Sequence, residues 1–274
     1  AAVAKYIEKE LLEIIPHLST DADEGRNGVP NKYMAQALLA KLYINWAVYT
    51  AASVDKYDAS SATNEKLDAC ISVCDELINS GKFSLGSMAY RFKFGPNNSA
   101  LHVEDFIYAM TYDTYTATGM QYGRANNYKD IKSMNPSYFG MKLSNSGGGY
   151  MTMTPEFANL FTLAGDERNS CVIGGQVYVY DPPTLLPTTQ IAKDRKGNPL
   201  ILTKDITLRY TDAPHTARDW KNLDIGDDLD GWRQGYRSVK FFVSNDDYKN
   251  GRNQSNDVPI FRYADILLMK AEAL

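Results

Sequence analysis

The chain has 274 residues, of which 44% are hydrophobic and 23% charged, and this balance predicts a folded globular protein, not a disordered or coiled-coil one. Its formal net charge of −4, with acidic and basic residues interspersed, argues against nucleic acid and other polyanions as ligands. No apolar run reaches the roughly 20 residues that a membrane helix needs, so membrane contact is expected only through an anchor outside this chain.

The N-terminal part of the chain contains two amphipathic helical patterns. Residues 1–19 carry apolar side chains at the spacing of one helical face, and residues 31–49 do the same. The connection 21–30 is rich in acids and turn formers, and Asn31 is placed to cap the second helix. These features predict an antiparallel helical pair with Trp46 in its core.

A third helix is predicted over residues 65–80, with Gly81 as its C-terminal cap. Cys70 and Cys74 share its inward face, so we interpret them as buried thiols, with a redox pair as the weaker alternative. Cys171 has no neighbouring motif, and three cysteines are too few for a disulfide framework. Helices stacked in this way are typical of a tetratricopeptide-like scaffold with a degenerate repeat.

Helical periodicity fades after residue 84. From there to residue 258, Gly, Pro, Asn and Asp separate short aromatic or β-branched stretches, and short strands are expected within 103–112, 174–183 and 199–210. A long irregular region mounted on a helical scaffold is where binding residues usually lie. We therefore expect the ligand-binding residues between positions 84 and 258.

The last helix is predicted to begin at Ala264. Its apolar residues follow the spacing of one buried helical face, at Ala264, Leu267, Leu268, Ala271 and Leu274. Alanines at positions 264, 271 and 273 would let a second helix approach closely. The pattern predicts the first half of a helical hairpin whose partner helix is not found in this chain.

This terminal segment, PIFRYADILLMKAEAL, resembles the corresponding segment of the SusD/RagB family through Arg262, Tyr263, Ala264, Asp265, Leu267, Leu268, Ala271, Glu272 and Ala273. Further blocks are similar to the family in the expected order, at residues 1–19, 31–49, 64–85, 92–113, 154–170 and 235–242. A likeness that extends along most of the chain is more specific than one short motif.

The resemblance implies a mainly α fold of the SusD type. Tetratricopeptide-like helices would occupy residues 1–83, a loop-rich ligand-binding region with short strands and helices 84–258, and the start of a C-terminal helical hairpin 259–274. It also implies a surface-exposed, lipid-anchored outer-membrane protein of nutrient uptake, which captures glycans for a SusC-like TonB-dependent transporter. Because no signal peptide, lipid-anchoring cysteine or full set of C-terminal helices is found, we expect an internal portion of a longer protein.

The sequence contains no catalytic or cofactor-binding pattern. Its histidines, at positions 17, 102 and 215, are far apart, and metalloprotease, Walker-type and zinc-finger motifs are missing. The acidic stretch 224–231 resembles part of a calcium loop, but an ordinary acidic loop is favoured because the EF-hand register places Gly226 and Arg237 at ligand positions. We therefore predict a protein that is not an enzyme and holds no cofactor or metal. A glycosidase carboxylate pair stays an alternative, since only spatial separation defines one.

Candidate ligand residues are aromatic or amide side chains in polar, Gly-rich or Asn-rich surroundings, because a ring stacks on the apolar face of a sugar while amides bind its hydroxyls. They are Tyr112, Tyr115, Tyr122, Asn127, Tyr128, Tyr150, Trp220 and Trp232. Trp220 is preferred, since polar residues surround it. For each, the alternative is a half-buried loop anchor. For the whole protein, the alternatives are peptide or glycopeptide binding on the same fold, a glycoside hydrolase, and a structural scaffold that binds only a protein partner.

Overall fold

The computed structural model describes residues 1–120, 152–194, 196–211, 222–224, 229–242, 244 and 253–274. The chain forms two compact units. The helical unit comprises residues 1–87, 99–111 and 257–274, and the loop-rich unit comprises residues 88–98 and 112–256. Each unit has its own cluster of buried apolar side chains.

Within the described residues, the α-helices are α1 (Ala2–Ile14), α2 (Ala22–Arg26), α3 (Lys32–Ile44), α4 (Trp46–Thr50), α5 (Leu67–Asn79), α6 (Pro155–Ala158), α7 (Leu229–Trp232) and α8 (Tyr263–Ala273). The strands of the same residues are β1 (Phe106–Met110), β2 (Val172–Ile173), β3 (Gly175–Gln176), β4 (Tyr178–Asp181), β5 (Leu186–Ile191), β6 (Ile201–Leu202), β7 (Arg209–Thr211), β8 (Asn222–Asp224), β9 (Arg237–Ser238) and β10 (Val258–Arg262). The three predicted strand regions are therefore found, as β1, as β3 with β4, and as β6 with β7.

The predicted cap of α3 is confirmed. The Asn31 side chain accepts a hydrogen bond from the Met34 amide at 2.9 Å, and its Nδ2 donates to the Asp21 carbonyl oxygen at 2.8 Å. Asn31 is fully buried, so both bonds are protected from competing water. The packing beside it is tight, because a Cβ on Gly25 of α2 would lie 2.2 Å from the Ile107 carbonyl oxygen.

The second predicted helix, over residues 31–49, is interrupted. It is found as α3 and α4, with Asn45 between them at a non-helical φ of −100° and ψ of 12°. The Nδ2 of Asn64 donates to the carbonyl oxygens of Tyr43 and Ile44, at 2.9 and 3.1 Å. These carbonyls would otherwise accept bonds from amides in the next helical turn. The interruption therefore depends on a residue well outside the periodic segment.

The core of the helical unit lies where α3 contacts α5 and α8. Alanines on α3 are fully buried there, which allows the neighbouring helices to approach closely, at positions 35, 37 and 40. Cys70 and Cys74 are buried free thiols on α5, as predicted. Trp46 is also buried, and its indole Nε1 donates to a Glu65 carboxylate oxygen at 3.0 Å.

The buried face of α8 is not the predicted one. Ile266, Met269 and Ala273 are buried in the helical core, whereas Leu268 is 67% exposed and Leu274 is 84% exposed. Of the predicted face, Ala264 and Leu267 are half-buried and Ala271 is exposed. α8 thus contacts α5 and α3 through a helical face adjacent to the one that the apolar spacing predicted.

The strand that precedes α8 explains this rotation. β10 pairs antiparallel with β1, from Phe106 opposite Arg262 to Met110 opposite Val258. The Arg262 amide then donates to the Asp265 carboxylate at 3.0 Å, which fixes the first turn of the helix. Because strand and helix are continuous, the pairing of the strand decides which helical face meets the core. Helical spacing alone contains no information about that pairing.

The described part of the loop-rich unit is built from antiparallel pairs of short strands: β2 with β9, β3 with β6, β4 with β5 and β7 with β8. Apolar side chains from these strands and from the segments between them form its core, at Ile173, Val177, Tyr180, Leu185, Ala192, Leu200, Leu202, Val239 and Phe242. None of the helices in the described ranges is long and apolar enough to cross a membrane.

Candidate functional site

A groove of about 720 Å³ opens in the loop-rich unit. We call it the aromatic groove, and it is lined by Tyr90, Thr152, Met153, Thr154, Phe157, Leu160, Phe161, Asp166, Arg168, Cys171, Ser238 and Lys240. Its volume falls within the range of about 300–1,000 Å³ that is usual for small-molecule sites. It combines aromatic and aliphatic surface with a few charged and hydroxyl groups.

The apolar wall of the groove is formed by α6 and the turn that follows it. Thr154 caps α6 by accepting a hydrogen bond from the Phe157 amide at 3.3 Å, and Pro155 occupies the first helical position. Phe157 is 50% exposed and Leu160 is 71% exposed. The rings of Phe157 and Phe161 meet edge to face, with centroids 5.4 Å apart. Large apolar side chains therefore face the solvent at this wall.

An ion pair forms the polar wall. Asp166 caps a short 3-10 helix, Glu167–Cys171, by accepting a bond from the Arg168 amide at 2.9 Å. The Arg168 guanidinium also donates to both carboxylate oxygens of Asp166, at distances from 2.5 to 2.9 Å, and these bonds lower the pKa of that carboxyl. Glu167 accepts a bond from the Tyr90 amide at 2.8 Å, which positions the backbone at Tyr90.

The floor of the groove lies where β2 meets β9. The Val239 amide donates to the Cys171 carbonyl oxygen at 2.7 Å, and Ser238 and Lys240, on either side of Val239 in the chain, line the groove. Burial raises the pKa of the Cys171 thiol, while the positive charges of Arg91 and Lys240 act in the opposite direction. The Lys240 ammonium lies 4.3 Å from the centroid of the Phe94 ring.

These groups suit binding better than catalysis. The Cys171 thiol is protonated near neutral pH because its pKa is raised, and a protonated thiol is a weak nucleophile. The Asp166 carboxyl has a lowered pKa, so near neutral pH it holds no proton to donate as a general acid. Within the described ranges, no group of three or more His, Cys, Asp or Glu residues is arranged to hold a metal ion.

Two of the predicted ligand residues are described in full, and neither lines the aromatic groove. Tyr112 is half-buried, and Tyr115 is 79% exposed. Tyr115 lies in a turn held by Asp113, whose carboxylate accepts bonds from the amides of Tyr115 and Thr116, both at 2.5 Å. Bonds to the Thr116 hydroxyl and then to these amides lower the pKa of Asp113 to about 2.

The other predicted positions are outside this description. Trp232 ends α7, and only its backbone belongs to the described part. Tyr122, Asn127, Tyr128, Tyr150 and Trp220 lie outside the described residues, and so does the centre of the acidic stretch, at 225–228. Their roles as ligand residues, or as part of an acidic loop, stay predictions.

The groove residues themselves are absent from the predicted set. Phe157, Leu160 and Phe161 have the spacing of a buried helical face, which from sequence indicates core packing. In the structure α6 ends at Ala158, so the pattern does not continue into a long helix and Phe157 and Leu160 remain exposed. The sequence does contain one indication of this exposure, because Pro155 and Gly165 bound a segment shorter than an average helix.

Solved structures with a similar fold come from Bacteroides and Parabacteroides species. The surface glycan-binding protein A of Bacteroides thetaiotaomicron is 14% identical with a TM-score of 0.59, over 99% of this chain and 49% of that one. The surface glycan-binding protein A of Bacteroides uniformis is 16% identical with a TM-score of 0.58, and the match covers 99% of this chain and 44% of that one. A SusD superfamily protein from Parabacteroides distasonis is 17% identical with a TM-score of 0.57, and the match covers 97% of this chain and 44% of that one. The present chain thus spans less than half the length of each.

These likenesses confirm the predicted fold class, a mainly α, tetratricopeptide-like scaffold that carries a loop-rich region with short strands. No curated protein matches the sequence. The model of the SusD family matches residues 105–274, which is more than half of the chain and includes β1, the aromatic groove except Tyr90, and α8. This match confirms the resemblance noted from the sequence, and the chain belongs to the SusD family.

Proposed function

We propose that the chain is part of a protein that captures glycans at the cell surface without cleaving them, and that the aromatic groove contributes to the binding site. The observation that carries the proposal is that two exposed apolar side chains, Phe157 and Leu160, line the same groove as the ion pair of Asp166 and Arg168. A flat ring covers the apolar face of a pyranose, and a charged pair in the same groove binds its hydroxyls.

Similar proteins support the ligand class. Two of the solved structures that share the fold are named surface glycan-binding proteins, and the family is the one in which the sequence resemblance implied glycan capture. The predicted residues Tyr112, Tyr115, Tyr122, Asn127, Tyr128, Tyr150, Trp220 and Trp232 remain our candidates for further ligand contacts.

The proposal also covers the cellular location of the protein and the transfer of its glycan to a transporter. We place the full-length protein at the outer membrane, surface-exposed and held by a lipid anchor outside this chain. From there it would pass its glycan to a SusC-like TonB-dependent transporter, as the family resemblance implies. Reconstitution of the full-length protein with such a transporter tests this part, because delivery predicts a stable complex that also forms in the absence of glycan.

A polysaccharide screen tests the ligand class. Soluble polysaccharides are cast into native gels, and retardation of the protein by at least one of them is expected, beside an unretarded control protein. Each bound polysaccharide is then incubated with the protein and assayed for new reducing ends, of which none is expected. Sustained release that one Asp or Glu substitution removes would show a glycosidase instead. Binding to peptides or glycopeptides in place of polysaccharides would support the alternative ligand class.

A further inference from the structure

A buried positive charge lies beside the floor of the aromatic groove. Arg91 is 3% exposed, and its guanidinium carbon lies 5.4 Å from the centroid of the Tyr180 ring and 5.7 Å from that of Phe242. Among the described residues, none of its three buried guanidinium nitrogens makes a hydrogen bond of ordinary geometry, and the Tyr180 phenol is the polar side chain that interacts with them. Arg91 follows Tyr90, which lines the groove, and its charge acts on the Cys171 thiol in the groove floor.

Such an arrangement is costly unless a negative charge comes close. An arginine does not lose its proton in proteins, so it cannot escape the cost of burial by becoming neutral. The aromatic faces of Tyr180 and Phe242 offset part of this cost through cation–π attraction. Tyr180 does not supply a counter-charge, because burial raises the pKa of its phenol above the usual value. The guanidinium therefore keeps unused capacity to stabilise an anion.

The two carboxylates described beside the groove, Asp166 and Glu167, are already engaged. Asp166 is bound by the Arg168 guanidinium, and Glu167 accepts the Tyr90 amide. Among the described residues, the cations that line the groove are Arg168 and Lys240, and Arg91 lies close enough to act on the Cys171 thiol. Ser238 adds a hydroxyl to the same floor.

We propose that the aromatic groove selects an acidic glycan, whose carboxylate or sulfate approaches the floor near Cys171, Ser238 and Lys240 while a sugar ring packs on Phe157. This inference rests on the proposed glycan-binding function and specifies the ligand class. The net charge of −4, which argued against polyanions, describes the whole chain. A partly buried cation in a low-dielectric wall acts over a short distance, so the local charge decides which sugar is held.

The test compares acidic glycans with neutral counterparts of the same backbone. Isothermal titration at low ionic strength is run with polygalacturonate, alginate and hyaluronan, each beside its carboxyl-reduced form, and with dextran sulfate beside dextran. At least one acidic form should bind tenfold or more tightly than its neutral counterpart, and the advantage should shrink as salt is added. The uronate and sulfate arms distinguish the two sources of charge.

Charge-removing variants connect the preference to the groove. Lys240→Met keeps the length of the side chain but removes its charge, so the acidic preference should fall severalfold. Arg91→Met should lower it as well, provided that circular dichroism shows a folded protein. Lys193→Met is the matched control, because it changes the net charge equally at an exposed position that does not line the groove.

The outcomes separate the two proposals. Equal or tighter binding of the neutral forms by the unmodified protein would overturn the acidic preference while leaving glycan capture intact. An acidic preference that Lys240→Met and Lys193→Met reduce equally would also overturn it, because the effect would then come from overall charge. Failure to bind any of these glycans or any member of the wider screen would overturn the proposed function itself.

Discussion

Replacement of Phe157 by alanine should weaken glycan binding about tenfold while the protein stays folded. Half of this side chain is already exposed to solvent in the folded protein. Burying a whole Phe side chain contributes about 1.5–3 kcal/mol, so the half that is buried contributes about 1 kcal/mol to stability. The edge-to-face contact with Phe161, with centroids 5.4 Å apart, is also lost, and such contacts are worth about 0.5–1.5 kcal/mol.

The expected loss of affinity comes from the exposed half of the ring. A stacking contact of about 1.4 kcal/mol corresponds to roughly tenfold in Kd. Affinity is measured by titration with the tightest glycan of the screen, and stability by urea unfolding of the same variant. Phe157→Leu refines the reasoning, because it keeps apolar area but removes the flat ring. It should lose most of the affinity with a smaller change in stability.

Leu163→Ala is the control. Leu163 follows α6 in the chain, is 67% exposed and does not line the groove, so its replacement should leave both affinity and stability nearly unchanged. The reasoning would be refuted if Phe157→Ala bound the glycan as tightly as the unmodified protein. It would equally be refuted if Leu163→Ala lost as much affinity as Phe157→Ala, since the effect would then not depend on the groove.

Three further predictions concern stability and pH. Gly25→Ala should destabilise the protein by about 1–3 kcal/mol in urea unfolding, because the alanine Cβ would lie 2.2 Å from the Ile107 carbonyl oxygen. Alanine usually favours a helix over glycine, so a stabilised variant would contradict this contact. Ile266→Ala should lower the free energy of unfolding by about 2–5 kcal/mol and Leu268→Ala by less than about 1 kcal/mol, because only Ile266 is buried. A larger loss for Leu268→Ala would support the buried face predicted from sequence instead. The pKa of Asp113 is lowered from 3.8 to about 2, so the turn that its carboxylate holds should be intact above pH 3.8 and lost as the pH falls through about 2. The chemical shift of the Asp113 carboxyl carbon measures this pKa, and a titration near 3.8 would contradict the prediction.

The helical elements could be predicted because their signal is local. The periodicity of residues 1–19 and 65–80 gave α1 and α5, and Asn31 marked the start of α3. The break before Trp46 could not be predicted in this way, because the side chain that takes over the last carbonyls of α3 belongs to Asn64. The rotation of α8 had a similar origin, since it follows from the pairing of two strands far apart in sequence.

The groove was harder to predict than the helices. Its walls come from Tyr90, from residues 152–171 and from residues 238–240, which only the fold brings together. A buried arginine such as Arg91 has no signature in sequence, because charged residues are ordinarily assigned to the surface. The family resemblance predicted the fold and the expected ligand class, and its blocks 154–170 and 235–242 contain most of the groove residues, but it assigned none of them a role in binding.

The pairing of β1 with β10 has a consequence for how the chain folds. Met110 lies opposite Val258, so the strands close a loop of about 150 residues, and closing a flexible loop of that length costs about 4–5 kcal/mol of entropy. A segment that folds first and brings its own ends together removes most of this cost. The loop-rich unit begins and ends near these paired residues. Any inserted sequence whose fold holds its ends about 5 Å apart would satisfy the same strand pair, so the sequence between these strands can change while their pairing is kept.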